Sequence, residues 1–198
     1  PLLGFAYLIL ICSESRAAET IVTPLPNESE TFVVEMNKSM KKNGFRVSPD
    51  LKRIAYFSWT WGKQAAVIDG LEGKKYYDIG FGSLIFSPDS QRVAYVAGTE
   101  SKRFIVVDGQ EGKQYDGVIL YLTARGNYGS SELVFSPDSK RLAYIAATGS
   151  KKSNYISGRG DKMFIVVDGQ EGKNYDYANA PIFSSDSKKV AYVAMIGK

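Results

Sequence analysis

The stretch FSPDSQRVAYVAGTESKRFIVVDGQEGKQYD, residues 86–116, decides the fold because the chain repeats it. Copies of its two halves keep the same order of residues and begin at other points of the chain: VSPDLKRIAYF at Val47, AAVIDGLEGKKYYD at Ala65, FSPDSKRLAYIAA at Phe135, MFIVVDGQEGKNYD at Met163 and FSSDSKKVAYVA at Phe183. Self-similarity with a period of roughly 40 to 50 residues is typical of proteins built from stacked repeats.

Each repeat is predicted to hold four short strands. In the second repeat these are LIF (84–86), RVAYVA (92–97), FIVVD (104–108) and QYDGVI (114–119). The second and third strands are almost continuously apolar, and Gly and Pro interrupt the chain too often for a helix. Strands of this kind are buried on both faces. A sheet of four short antiparallel strands, covered on both faces by its neighbours, is a propeller blade.

Two polar segments are predicted to form the turns of each repeat. In SPDS, Pro88 presets the backbone of a turn and the Asp89 side chain bonds nearby amides. In DGQEGK, Gly109 and Gly112 are expected to take positive φ in a hairpin. The Asp and Glu of this segment recur in every complete repeat. We therefore interpret them as hairpin residues rather than as calcium ligands or paired catalytic carboxylates.

The recurring FSPDS, RVAYVA and IVVDG resemble the WD40-like repeat of TolB-type β-propellers over about residues 45–194. This resemblance implies an all-β fold made of β-propeller blades, each with four antiparallel strands. About three and a half repeats are present, at residues 45–82, 84–118, 133–178 and, in part, 181–198.

The ends of the array depart from the pattern. The first copy has Val47 and Leu51 where the others have Phe and Ser, and the fourth has Ser185 in place of the turn proline. We expect different packing at these end repeats. The number of repeats is smaller than is usual for this family, so we expect a partial propeller. The alternative is a small closed ring, in which TFVVEM (31–36) completes the last repeat.

The first 17 residues are predicted to be a secretory signal peptide whose start is missing. The apolar run of residues 2–12 is too short to span a membrane, and Ser15 and Ala17 fit a small-x-small cleavage site. Residues 18–44 are predicted to be a linker with one possible strand. The mature chain is then periplasmic or extracellular and has no membrane span. A lipid anchor at Cys12 is disfavoured because Ile11 is not small.

The composition excludes several kinds of chemistry. The chain has no histidine and one cysteine, so it cannot form a Ser-His-Asp or Cys-His arrangement or a zinc cluster. Its formal charge of +4 comes from 25 basic and 21 acidic residues spread along the sequence, which does not indicate nucleic-acid binding. We therefore expect no enzymatic activity, no cofactor and no bound metal.

Candidate binding residues lie in two long insertions. LTARGNYGSSE (122–132) precedes the third repeat, and TGSKKSNYISGRGDK (148–162) separates its second and third strands. Both are expected on one face of the array, where long loops on a rigid scaffold concentrate binding residues. The alternative is that they are tolerated insertions without a ligand. The candidates are basic and aromatic: Arg125, Tyr128, Lys151, Lys152, Tyr155 and Arg159.

We predict an exported, non-catalytic propeller that binds a protein, a peptide or a cell-envelope component through these loops. The alternative is the N-terminal propeller domain of a prolyl-oligopeptidase-like serine peptidase, with its catalytic domain outside this sequence. Trp59 and Trp61, in SWTWGK, are interpreted either as packing residues or as a stacking platform for a ligand.

Overall fold

The computed structural model describes residues 6–9, 29–32, 45–80, 82–118, 120–122, 128–131, 133–149 and 162–197, and gives side chains within 45–80, 82–118, 133–149 and 162–197. Two short strands, β1 (Ala6–Ile9) and β2 (Ser29–Phe32), pair in parallel. The described residues from 45 onward form strands and turns, with no helix among them. The predicted all-β fold of propeller blades is confirmed.

The first blade is a regular four-stranded antiparallel sheet. Its strands follow one another in space as they do in the chain: β3 (Phe45–Val47), β4 (Ile54–Thr60), β5 (Lys63–Ile68) and β6 (Leu71–Tyr76). We call the end of the blade that carries the β4–β5 turn the upper end. The end that carries the SPD turn and the β5–β6 hairpin is the lower end.

The second blade has a first strand in two pieces. Both β7 (Asp78–Ile79) and β8 (Ile85–Phe86) pair with β9 (Val93–Gly98), near its upper and lower ends respectively. The outer strands are β10 (Arg103–Val107) and β11 (Gln110–Glu111).

The third blade repeats this plan with a long insertion in the first strand. β12 (Gly117–Val118) is followed by a separate hairpin of β13 (Leu120–Leu122) and β14 (Tyr128–Ser131), and then by β15 (Val134–Phe135). Both β12 and β15 pair with β16 (Leu142–Thr148). The outer strands are β17 (Lys162–Val167) and β18 (Gln170–Glu171).

The fourth unit is half a blade. β19 (Tyr177–Ala178) and β20 (Ile182–Phe183) form its first strand, and β21 (Val190–Ala191) and β22 (Ala194–Met195) form its second. Each piece of the first strand pairs with one piece of the second.

The fourth strand of a blade differs from the prediction. We predicted residues 114–119, but this strand starts at Gln110, directly after the turn at Asp108 and Gly109, whose φ values are 50° and 81°. These values suit a tight hairpin, which returns the chain at once beside β10. Gly112 does not take positive φ. Its N–H instead donates to the Ile105 carbonyl at 2.8 Å.

The end of the predicted strand belongs to the next blade. Tyr115 still bridges to Arg103 of its own blade, whereas Gly117 and Val118 pair with β16. The chain thus crosses between blades at the upper end, near Asp116.

The blades pack face to face and bury the apolar strands between them. All six residues of β9 are buried. Val93, Tyr95 and Ala97 belong to the core shared with the first blade, and Ala94 and Val96 to the core shared with the third. Because each face has an apolar neighbour, the sequence does not alternate. The predicted burial on both faces is confirmed.

Candidate interaction surface

The lower end is occupied by contacts within and between blades. Asp108 accepts hydrogen bonds from the Val93 N–H at 2.9 Å and from Arg92 Nε at 2.9 Å. Glu171 of the third blade forms an ion pair with Lys113 of the second at 2.7 Å. These contacts agree with the interpretation of the recurring carboxylates as hairpin residues.

A cleft of about 360 Å³ opens between the second and third blades at this end. Most of the charged groups along it already have partners inside the chain. Glu111 pairs with Lys74 at 2.6 Å, and Asp168 pairs with Arg141 at 2.8 Å. The cleft is a groove between neighbouring blades, and these charges are engaged within the third blade or with the first.

At the upper end, a recurring aspartate fixes each crossing between blades. Asp116 accepts hydrogen bonds from Lys102 Nζ at 2.7 Å and from the Gly149 N–H of the next blade at 3.1 Å. Asp78, where the chain enters the second blade, pairs with Arg103 of that blade at 3.0 Å.

The third crossing is built in the same way, since Asp176 is paired with Lys162, which lowers the pKa of this carboxyl. From the sequence, these aspartates were recognised only as the last residue of each repeated segment. Their recurrence after a tyrosine is the signal of this anchoring role.

The turn between β4 and β5 presents two tryptophans at the upper end of the first blade. Trp61 and Gly62 form this two-residue turn, with φ values of 53° and 74°. The Trp61 side chain is 98% exposed and that of Trp59 is 58% exposed. The interpretation of Trp61 as a packing residue is wrong, because the residue stands at the tip of the turn and is almost fully solvated.

Trp61 is also unusual in its backbone. Positive φ is uncommon outside glycine, and bulky residues pay for it in steric strain. Within the described ranges, all other non-glycine residues with positive φ belong to turns that recur from blade to blade: Leu51, Asp69, Ser90, Asp108, Ser139, Asp168 and Ser187. Trp61 therefore holds a strained conformation that the repeat itself does not require.

Other exposed side chains lie beside this turn. The backbone register pairs Thr60 with Lys63 and Gln64 with Tyr76. Tyr77 follows β6 at this end and is 56% exposed, and Lys63 is exposed as well. We call Trp59, Trp61, Lys63 and Tyr77 the aromatic tip.

The candidate residues predicted from the two insertions fall largely outside the described residues. Tyr128 begins β14, where its backbone pairs with Leu122. The remaining candidates are not among the residues whose structure is described: Arg125, Lys151, Lys152, Tyr155 and Arg159.

The structure describes the strands from which the two insertions leave. The insertion of residues 148–162 leaves from the upper end between β16 and β17, as expected. The insertion of residues 122–132 does not arise there. It leaves from the middle of the first strand, between the Val118–Ala146 and Val134–Ala143 pairs, because the chain joins the new blade before it diverges.

Comparisons with solved structures find proteins of low sequence identity to this chain. TolB from Acinetobacter baumannii is 18% identical, with a TM-score of 0.41, over 78% of this chain and 39% of that one. Hydrazine synthase from Kuenenia stuttgartiensis is 14% identical, with a TM-score of 0.38, over 75% of this chain and 48% of that one. Acylaminoacyl peptidase from Pyrococcus horikoshii is 12% identical, with a TM-score of 0.40, over 71% of this chain and 25% of that one.

This chain thus spans from a quarter to about half of the length of those structures. No protein-family model matches the chain, and no curated protein matches it. In the part of the chain that the structure describes, no helix has the length and apolar character needed to cross a membrane.

Proposed function

We propose that the chain is part of an exported, non-catalytic propeller scaffold that binds a protein, a peptide or a cell-envelope component through its upper end. The observation that carries this proposal is Trp61, which is 98% exposed and held at a φ of 53° in a turn that does not recur among the described residues. Strained residues are retained where function requires them. Exposed tryptophan is a common anchor of interfaces.

One of the two insertions extends this proposal. The insertion of residues 148–162 begins at the same end of the array as the aromatic tip. Its basic residues Lys151, Lys152 and Arg159 favour an anionic partner, because such charges raise the rate of association. The proposal of export rests on the apolar run of residues 2–12 and the small residues that follow it.

The test compares matched variants in binding to an envelope extract of the producing cell. One variant carries Trp61→Asn, which keeps a residue suited to the turn. A second carries Lys151→Ser, Lys152→Ser and Arg159→Ser. We expect Trp61→Asn to weaken binding of the partner that the wild-type chain retains by about thirtyfold, as for a typical anchor residue. The second is expected to slow association at low salt.

The control uses exposed lysines of the lower end, Lys140→Ser with Lys188→Ser, which form no ion pair among the described residues. Lys113 is unsuitable as a control because it joins two blades through Glu171. If the wild-type chain and both upper-end variants retain equal amounts of the partner, the upper end is not the binding surface.

A further inference from the structure

The aromatic tip is a protrusion rather than a pocket. Trp61 and Gly62 form the two-residue turn at the end of the β4–β5 hairpin, and the Trp61 side chain is 98% exposed. Small ligands such as a single sugar are usually held in concave sites that bury most of their surface. Within the described residues, almost nothing covers the Trp61 ring. The tip is therefore suited to entering a partner and not to enclosing a small ligand.

The blade itself does not require this apolar turn. The same connection in the second blade, between β9 and β10, is TESK (99–102) and contains no aromatic residue. There the Thr99 N–H donates to the Lys102 carbonyl at 3.0 Å, so a polar turn also closes the hairpin. Trp61 takes a φ of 53°, which asparagine tolerates better than tryptophan does. The second blade thus shows that folding does not need the two indole rings.

The charge of the tip is positive. Lys63 follows the turn directly and is exposed. Residues 54–68, which include β4 and β5, contain no acidic residue. Asp78, which lies at the same end of the array, is paired with Arg103 at 3.0 Å. The tip therefore combines three exposed aromatic side chains with an ammonium group.

This combination of residue types is suited to the headgroup region of a lipid bilayer. The rings of tryptophan and tyrosine have an apolar body and a polar N–H or O–H group, and both residues concentrate at the boundary between lipid and water. A lysine beside them keeps its charge in the headgroup layer while its alkyl stem covers apolar surface. Anionic lipids attract such a cation, which strengthens binding about fivefold for each lysine near the surface.

We propose that the aromatic tip docks on a bilayer surface that contains anionic lipid, with Trp61 inserted among the headgroups and Lys63 beside a phosphate. This inference rests on the proposed function, because it names the partner that the upper end binds. The contact is shallow, since a two-residue turn carries one almost fully exposed indole ring at its apex. Binding is weak and reversible, because even a single myristoyl chain gives only marginal binding.

The probe is a vesicle of phosphatidylcholine and phosphatidylglycerol in equal parts, mixed with the full chain, and vesicles of pure phosphatidylcholine provide the comparison. Trp59 and Trp61 are the two tryptophans of the sequence, so intrinsic fluorescence reports on the tip itself. We expect a blue shift of the emission on the mixed vesicles. Lipids brominated near the headgroup should quench it more strongly than lipids brominated at the end of the acyl chain. Pelleting of the vesicles measures the partition coefficient.

Three variants test the residues of the tip. Trp61→Asn is expected to lower the partition coefficient at least about tenfold, because it removes the inserted ring from a turn that suits asparagine. Lys63→Ser should lower it about fivefold on the mixed vesicles, and this difference should vanish in about 1 M salt. The matched control is Leu71→Gln at the lower end. It removes a side chain that is 78% exposed and introduces the residue of Gln110 and Gln170, so partition should not change.

The outcomes separate this inference from the proposed function. Absence of a blue shift at every lipid concentration, or a partition coefficient that Trp61→Asn leaves unchanged, overturns the membrane contact. If Trp61→Asn still weakens binding of a partner from the envelope extract while the wild-type chain ignores the vesicles, the partner is a protein or a glycan. The proposed function then stands and only the membrane inference is wrong. If the variant changes neither kind of binding, both proposals fail.

Discussion

Arg92 of the second blade lies over the ring of Phe135 of the third, with its Cζ atom 5.4 Å from the ring centroid. The same guanidinium group bonds Asp108 within its own blade and donates to the carbonyls of Ser139 and Lys140 in the next, at 3.4 and 3.3 Å. One side chain therefore links a hairpin, a turn and a neighbouring blade.

This arginine clamp recurs along the array. Arg53 lies 5.4 Å from the ring centroid of Phe86, and Arg141 lies 5.3 Å from that of Phe183. The serine turns add a second link, since the Asp89 N–H donates to Ser139 Oγ at 2.9 Å.

The first and last repeats depart from the common sequence at residues that belong to these contacts or lie beside them. Val47 and Leu51 stand where the other blades have the phenylalanine and the serine that receive these contacts. The first blade therefore lacks the acceptors of the clamp. Ser185 leaves its turn intact, because the Ser187 N–H still donates to the Ser184 carbonyl at 2.8 Å.

Arg92→Ala is expected to lower the free energy of unfolding by about 2 kcal/mol, because it removes a cation–π contact and several charge-assisted hydrogen bonds. Arg92→Lys should recover only part of this loss, since lysine lacks the planar fork. Denaturant melts measure both. Lys140→Ala, an exposed control on the next turn, should cost under about 0.5 kcal/mol. Equal losses for Arg92→Ala and Lys140→Ala would contradict a joining role for the clamp.

Tyr95→Ala and Tyr144→Ala are each expected to cost about 3 kcal/mol or more, because both rings are buried between blades. Tyr77→Ala is the matched control, since this side chain is 56% exposed, and it should cost under about 0.5 kcal/mol. Chemical denaturation of the three variants provides the measurement. The opposite order of losses would mean that the packing of the blades is misassigned.

Trp61→Asn is expected to raise the free energy of unfolding by about 0.5 to 1 kcal/mol, because asparagine tolerates positive φ better than tryptophan does. The melting temperature of the variant checks this. The sequence contains two tryptophans, Trp59 and Trp61, so fluorescence emission reports on the aromatic tip alone. Emission typical of solvated indole is expected in the free chain. A blue-shifted spectrum would indicate that the tip is covered.

Stability is expected to fall below about pH 5. The hydrogen bond from the Ser87 hydroxyl lowers the pKa of Asp89, and the bond from Lys113 lowers the pKa of Glu171. The unfolded chain therefore takes up protons first as the pH drops. The stabilisation by these carboxylates is complete above about pH 5 and is lost as the pH falls through their folded values.

At high pH, buried tyrosines are expected to make the stability fall as the pH rises. Burial raises the pKa of Tyr95 and Tyr144 above that of free tyrosine. Their contribution is complete below about pH 10 and is lost as the pH rises further. Melting temperatures between about pH 3 and pH 11 should therefore decline at both extremes. A melting temperature that stays constant down to about pH 3 would contradict the role of the carboxylates.

The open edge of the half blade is expected to make the chain self-associate, because an apolar strand with free backbone groups pairs readily with another chain. Val193→Lys places a charge on this edge and should shift the chain towards monomer. Sedimentation velocity at several concentrations measures the effect. A wild-type chain that is monomeric at every concentration and melts cooperatively would favour ring closure by residues 31–36 over an open edge.

The sequence by itself determined the repeat, the strand order within a blade and the turns. Repetition identified the unit, and continuous apolar runs such as that of β9 required neighbours on both faces. The hairpin was also predictable, because the tight turn at Asp108 and Gly109 depends on local backbone preferences. The strong recurrence of these segments made them recognisable without any knowledge of distant contacts.

Only the tertiary structure decided which residues join the blades. Arg92 reaches Phe135, and Glu171 reaches Lys113, across distances in the chain that local spacing does not reveal. The first strand of the third blade is divided into β12 and β15, which both pair with β16. The insertion of residues 122–132 therefore leaves from between these two pieces, and local spacing does not reveal this. Trp61 was likewise ambiguous, since whether an aromatic ring is packed or exposed depends on what the fold brings beside it. Packing across the sheet faces is a property of the assembled array, whereas propensity acts within a few residues.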